Sequence, residues 1–550
     1  MRKLLVALIL LVQLSFSTIV VNSLDGRDVV SATYYSLFTD DQLVFIPPSY
    51  SQAEVYGKIG SGGGVFLIQS EESPAITGLA YDLESRDNTV DVYISEEPYL
   101  TNLELAGRSG ATKFILIDPV YGYNAVSALG YAKLNSMYLL FVDAQNVEEV
   151  VSFLQTKGSP ELLLYGYVES DVKGLLDELG FEYTAIDNGD KFDDNLELME
   201  LYLQKNPSMS QVILSDGNGL DDTISAADTP VVLVSPLIPS STYNFLRENA
   251  ASGQIPVALV VDQEYAQAAY DLKTSINDDV GSEVLHVFVK FGETSSISGG
   301  MKDVEFFPLP GPLLGLAISD AEYNTATGKL EVTYSNTGNA PEYVKANILV
   351  FADGTYVGTV GDEEPFAIGR EEIVGRGYDI YVEEGTVTAN ITAMFGSSRK
   401  STENGIQTLV DVGTVELVDE SILNVTDFTV DASTMDLFVT YSNAGDSQVF
   451  FAPYVFVDVE GRTTKLEDGQ VYTLSVGESR MLKFPGIVKE ESTITAGASY
   501  GSREAFLEKN VEREYVPEVA AGLDLTLVLV GVIVLVVILA GAYVLMRKKK

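Results

Sequence analysis

The densest group of oxygen-bearing side chains is DGNGLDD at 216–222, directly after the apolar run QVILS. Asp216, Asn218, Asp221 and Asp222 carry the donor type that calcium selects, and ligands of open α/β sheets collect beyond the carboxyl ends of the strands. The spacing is not the D-x-[DN]-x-[DN]-G loop of an EF-hand, so the same residues also suit a turn leading into a helix N-cap. DNGDKFDDN at 187–195 offers the same two readings, a cation loop or a capped turn.

Other chemistry has few carriers. The chain has no cysteine, which excludes disulfides, thiolate metal sites and a cysteine nucleophile. Its one histidine, His286, lies in the apolar stretch VLHVFVKF, where a packed strand residue is expected rather than a base. That argues against a histidine-dependent triad and a multi-histidine zinc site. GSGGG at 60–64 precedes a strand and lacks the lysine of a phosphate loop, so it reads as a turn. Carboxylates are too abundant for a paired-acid hydrolase site to stand out. With no catalytic signature, the expectation is a non-enzymatic protein that needs no cofactor, calcium being the one ion its acidic loops could hold.

Charge and chain ends indicate where such a protein works. The sequence carries 79 acidic and 34 basic residues, a formal charge of −45 that repels phosphate backbones and excludes nucleic acid as a partner. Arg2 and Lys3 precede an apolar run at 4–16, followed by Ser17 and Ser23 as cleavage points, so 1–23 reads as a signal peptide outside the fold. Residues 525–546 hold no charge and would rise about 33 Å as a helix, enough to cross a bilayer core of about 30 Å. The basic tail at 547–550 then lies in the cytoplasm, with everything before 525 outside. The expectation is a single-pass type I membrane protein whose bulk is extracellular.

Between 27 and 295 the chain alternates short apolar runs such as KFILID (113–118), ELLLYGY (161–167) and PVALVVD (256–262) with amphipathic stretches such as VEEVVSFLQ and DVKGLLDELG. That pattern predicts α/β architecture with parallel sheets covered on both faces. The region repeats itself: NLELA at 102–106 returns as NLELM at 195–199, KFILID as QVILSD, and the pair Ser127-Ala128 as Ser225-Ala226. The period defines three α/β units at 27–98, 99–187 and 188–295.

These residues resemble the cell-wall-binding repeat (type 2) of bacterial and archaeal surface proteins. The third unit reads DNGDKFDDNLELMELYLQK, then VILSDGNGLDDTISAA, then TPVVLVSP, placing Asp222 and Ser225 at the family's Asp and Ser, and Lys191 and Phe192 at its Arg and Tyr. YNAVSA places Asn124 and Ser127 there in the second unit, and SQAEVYG places Gln52 there in the first. The resemblance implies three units packed as a pseudo-threefold module that holds a protein to a wall polymer. The charge favours neutral envelope glycan or neighbouring surface-layer subunits over an anionic polymer.

After a Gly- and Pro-containing linker at 296–314, VTYSNTGNA (332–340) recurs as VTYSNAGDS (439–447), and ITAMFGSSR (391–399) as ITAGASYGSR (494–503). Period-two alternation and short turns predict two all-β, immunoglobulin-like sandwiches at 315–415 and 418–512, which resemble the cell-adhesion-related stalk domains of prokaryotic surfaces. A charged spacer at 513–524 leads to the span. Asn390 and Asn424 head glycosylation sequons. The function expected from this assembly is a structural component or anchor of an archaeal-type surface layer, binding envelope glycan or neighbouring subunits, homo-oligomer included. The alternative is a tethered extracellular solute- or glycan-binding receptor or adhesin, which would need one cleft between two lobes.

Overall fold

The computed structural model of the protein describes residues 18–39, 41–294, 299–383, 385–400, 402, 404–431, 436–459, 462–467, 470–484 and 493–515. The chain divides between Glu416 and Leu417 into two compact units. Its N-terminal region is α/β and its C-terminal region is β-rich.

Three parallel four-stranded sheets succeed one another. The first contains β1 (Thr18–Asn22), β2 (Gln42–Phe45), β3 (Gly64–Ser70) and β4 (Thr89–Ser95). The second contains β5 (Lys113–Ile117), β6 (Tyr138–Phe141), β7 (Glu161–Tyr165) and β8 (Tyr183–Ile186). In the third, β9 (Gln211–Ser215) is followed by the two-residue β10 (Gly219–Leu220), then β11 (Val231–Leu233), β12 (Val257–Val260) and β13 (His286–Val289). All three share one strand order: β2-β1-β3-β4, β6-β5-β7-β8 and β11-β9-β12-β13. β1 and β6 are buried along their whole length, as expected where helices cover both faces.

The repeated NLE segments explain how successive units lock. Asn102 lies on the helix Pro98–Ser109, and its amide donates to the Leu139 carbonyl at 3.0 Å and accepts from the Phe141 N–H at 3.1 Å. Asn195, on the helix Lys191–Lys205, donates to the Val231 carbonyl at 2.9 Å and accepts from the Leu233 N–H at 2.8 Å. Each amide thus pins the same strand of its own unit, β6 or β11. Asn102 also donates to Ser31 Oγ on the helix Gly26–Thr39 of the preceding unit, at 3.0 Å.

Three boundary expectations change. Residues 18–22, counted with the leader, form β1, paired with β2 and β3, and Ile19, Val20 and Val21 have no exposed surface. Cleavage at Ser23 would remove a central strand, whereas Ser17 lies just before it. Polar Thr18 and Asn22 flanking three β-branched residues resemble a leader's end as much as a strand. The linker at 296–314 is not free chain: β14 (Glu293–Thr294) pairs with β15 (Met301–Lys302), and β16 (Phe307–Pro308) pairs with β10. Phe307 is fully buried, and its ring meets Phe45 edge to face at 6.1 Å. The first-unit counterpart of Asn124 and Ser127 is not Gln52, which lies exposed at the start of the helix Gln52–Ile59. It is Asp28-Val29-Val30-Ser31-Ala32, on the helix that follows β1 as the helix Gly122–Asn135 follows β5.

The β-rich region repeats one strand order. Its first half contains β17 (Leu316–Asn324), β18 (Lys329–Asn336), β19 (Glu342–Ala352), β20 (Thr355–Gly361), β21 (Phe366–Ile368), β22 (Ile373–Asp379), β23 (Val387–Gly396) and β24 (Asn404–Val415). β17-β18-β22 form one layer and β20-β19-β23-β24 the other, with β21 also on β19. β24 bridges them, antiparallel to β23 and parallel to β17 at its end. The second unit reproduces this order with β25 (Leu423–Asp431), β26 (Asp436–Asn443) and β30 (Ser479–Phe484) in one layer. The other holds β27 (Val449–Val459), β28 (Arg462–Glu467), β29 (Tyr472–Leu474), β31 (Thr493–Gly501) and β32 (Lys509–Tyr515).

The duplicated S-N-x-G turn has a physical cause. Asn336 accepts from the Gly338 N–H at 2.8 Å and donates to the carbonyls of Ala340 and Gly369. Asn443 accepts from the Gly445 N–H at 2.9 Å and donates to the carbonyls of Ser447 and Leu474. One buried amide ties a turn to a neighbouring strand in each sandwich.

Among the described residues no helix is long and apolar enough to cross a membrane. The expected span at 525–546, the tail at 547–550, leader residues 1–17 and spacer residues 516–524 lie outside the described residues.

Candidate functional site

The acidic loop after β9 does not converge on a point. Asp216 accepts from the Asn218 N–H at 2.9 Å and from the Tyr265 hydroxyl at 3.1 Å. Asn218 donates its amide back to Asp216. Asp221 is fully buried; one oxygen caps the short helix Asp222–Ser225 by accepting from the Ile224 N–H, and the other meets Lys290 Nζ at 2.6 Å. Asp222 points outward and pairs with Lys58 Nζ of the first sheet's unit at 2.7 Å. Asp216 and Asn218 pair with each other while Asp221 and Asp222 turn to different lysines, and among the described residues no three His, Asp or Glu side chains are grouped to hold a metal ion. In the second acidic run, Asp190 caps the helix Lys191–Lys205 through the N–H groups of Phe192 and Asp193. His286 is on β13 as expected, but its side chain is exposed because β13 is the outer strand of its sheet.

The turns beyond β1, β5 and β9 are crossed by a later segment of the chain, residues 306–310. A Cβ on Gly26 would stand 3.0 Å from the Pro308 carbonyl oxygen, one on Gly122 2.5 Å from that of Pro310, and one on Gly219 2.9 Å from Phe306 Cβ. The Gly122 N–H donates to the Pro310 carbonyl at 3.0 Å, and the Leu309 N–H donates to the Asn218 carbonyl at 3.0 Å.

A cleft of about 60 Å³ lies beyond β5, β7 and β8, lined by Tyr121, Tyr123, Asn124, Gly166, Tyr167 and Asp194 and, from the first sandwich, by Pro341, Tyr343 and Ser397. The Tyr121 ring packs against Tyr123 at 5.6 Å and against Tyr167 at 6.0 Å. Lys191 Nζ lies 5.1 Å from the Tyr123 ring centre and donates to Ser397 Oγ at 3.3 Å. The sandwich is held here by the Tyr343 hydroxyl, which donates to the Gly189 carbonyl at 2.6 Å, and by Ser398, which donates to Asp190. Burial pushes Asp194 up to about 7, partly opposed by the Asn188 N–H, and burial does the same to Asp118 against the Val120 N–H.

No protein family and no curated protein matches the chain. Among solved structures it is similar to Cwp6 from Clostridium difficile, at 14% identity over 52% of this chain and 46% of that one, TM-score 0.37. It is also similar to Cwp8 from the same organism, at 13% identity over 48% and 47%, TM-score 0.39. The chain therefore spans less than half the length of either protein.

Sequence reasoning missed the cleft, although a signal exists. The triplet Tyr-Gly-Tyr occurs at 121–123, beyond the end of β5, and again at 165–167, at the end of β7. Two strand ends of one parallel sheet each carrying a Tyr-Gly-Tyr would have marked it. Of the sequon asparagines, Asn424 is exposed on β25, while Asn390 is half-buried in the middle of β23 and accepts from Gln407 Nε2 at 3.2 Å.

Proposed function

We propose that the protein is a non-enzymatic, membrane-anchored structural component of a cell envelope. In this reading three divergent cell-wall-binding repeats form a head, two immunoglobulin-like sandwiches follow, and residues 525–546 anchor the chain. Envelope glycan or neighbouring surface subunits are the partners of the head. The observation that carries the reading is the strap at 306–310. In α/β enzymes the carboxyl ends of the strands hold substrate, whereas here the turns beyond β1, β5 and β9 are crossed by the chain's own backbone. An acidic surface of −45 suits a crowded exterior, where like charge keeps proteins apart and soluble.

Fractionation of intact cells tests the proposal. The protein should stay with membranes through high-salt and chelator washes, leave them in detergent, and lose its head to protease added outside. Release by salt alone, or full protection from external protease, would defeat it.

A further inference from the structure

We propose that the cleft beyond β5, β7 and β8 receives the acetamido group of an N-acetylated sugar, paired with the side-chain amide of Asn124. The assignment rests on the reading of the head as the partner-binding part of an envelope protein and adds the chemical group it would recognise.

Asn124 is only 1% exposed, and its Oδ1 has no hydrogen-bond partner. Buried polar atoms are nearly always satisfied, so an orphaned amide lining a cleft marks a place where a partner is missing. The amide sits where it does because residue 166 is glycine: its φ of +73° suits glycine, and a Cβ there would stand 2.2 Å from Asn124 Nδ2. A side chain at 166 would occupy the room the amide now uses.

The surroundings select the ligand. Asp187, Asp190 and Asp194 line the cleft beside Lys191, whose ammonium already lies against Tyr123 and Ser397. Excess negative charge disfavours a carboxylate or phosphate, leaving a neutral group. A carboxamide offers the Asn124 amide a donor and an acceptor together, the pairing that leaves neither end unsatisfied. A methyl on that carboxamide finds aromatic faces in Tyr121, Tyr123 and Tyr167, and Tyr167, 40% exposed, offers its face to a sugar ring. A volume of about 60 Å³ admits the acetamido group but not the ring.

Saturation-transfer NMR on the full chain in detergent decides the matter, with N-acetylglucosamine, glucose and a glutamine-containing peptide as probes. N-acetylglucosamine should show saturable transfer strongest at its acetyl methyl, with glucose and the peptide at least tenfold weaker. Asn124→Leu should abolish the signal. Tyr167→Ala, at a position 40% exposed, should weaken it severalfold and keeps the test valid should the leucine variant misfold. Equal transfer to glucose, binding of the peptide without the sugar, no saturable signal, or retention in both variants would overturn the proposal. Membrane retention is read separately on the parent chain, so a parent that stays with the membrane yet shows no saturable sugar signal condemns this inference alone. Release of the protein by salt condemns the envelope reading instead.

Discussion

At the scale of single residues, Asn195 shows how one amide can hold a unit together. It satisfies both the Val231 carbonyl and the Leu233 N–H from a helix packed on β11. Asn195→Leu keeps the bulk but leaves a buried carbonyl and a buried N–H unpaired, at about 1–3 kcal/mol each. A loss of about 2–6 kcal/mol is expected in urea unfolding of the compact unit that ends at Glu416; a loss below about 0.5 kcal/mol would show that the pin contributes nothing. Asp118 and Asp194 give the unit a pH dependence with a definite sign. Both carboxyls titrate near 7 in the fold because they are buried, whereas an unfolded aspartate titrates near 3.9. Between these values the folded state holds protons the unfolded state has lost. The stability is therefore complete below about pH 4 and is lost as pH rises through about 7. The thermal midpoint should climb from pH 8 to pH 5.5, and Asp194→Asn should flatten that slope. An unchanged slope in the variant would refute the role given to this residue.

At the scale of elements, the strap at 306–310 behaves as part of the head rather than as a tether. Gly122→Ala would place a methyl 2.5 Å from the Pro310 oxygen, a contact that backbone must relieve by moving. Limited proteolysis should then cut near 306–310 in the variant but not in the parent; equal resistance would mean that the strap yields without opening. The same scale separates the sequons: if the folded protein is glycosylated, peptide mapping should find Asn424 occupied ahead of Asn390, which lies in a strand flanked by β19 and β24. Occupancy of Asn390 alone would contradict this. Most elements were legible because their causes are local. Apolar runs such as KFILI and amphipathic stretches such as VEEVVSFLQ fix period and length, and the two S-N-x-G turns advertise their own geometry. The strap was not legible, since FFPLPGP reads as a breaker-rich linker and only the turns at Gly26, Gly122 and Gly219 reveal what it fits. The Asp28 position was hidden for a related reason: D-V-V-S-A stands so near the leader that its strand was set aside with it. The cleft drew its residues from five places in the sequence, and the first sandwich's part in it, Tyr343 and Ser397, carries no motif.

At the scale of the whole molecule, scarce cations are placed at seams. Lys58 joins Asp222 between the first and third α/β units, Lys133 joins Asp228 between the second and third, and Lys400 and Arg370 bind the first sandwich to Asp193 and Glu169. The tightest knot surrounds Lys302, which meets Glu293 and Glu305 at 3.1 Å, Glu54 at 3.6 Å and the Tyr50 ring at 3.8 Å. Elsewhere 79 acidic residues face 34 basic ones, so exposed charge repels itself and salt relieves it over a Debye length of about 10 Å at 0.1 M. The partly buried knot is screened far less. In the parent the thermal midpoint should therefore rise as sodium chloride goes from about 10 to about 300 mM. Lys302→Met tests the balance, because it leaves three glutamates turned toward one another with no central cation. Its midpoint should fall most at low salt and recover part of the loss as salt increases, giving a steeper salt slope than the parent. A uniform loss at every salt concentration would mean that Lys302 acts through its packing against Tyr50 rather than through its charge.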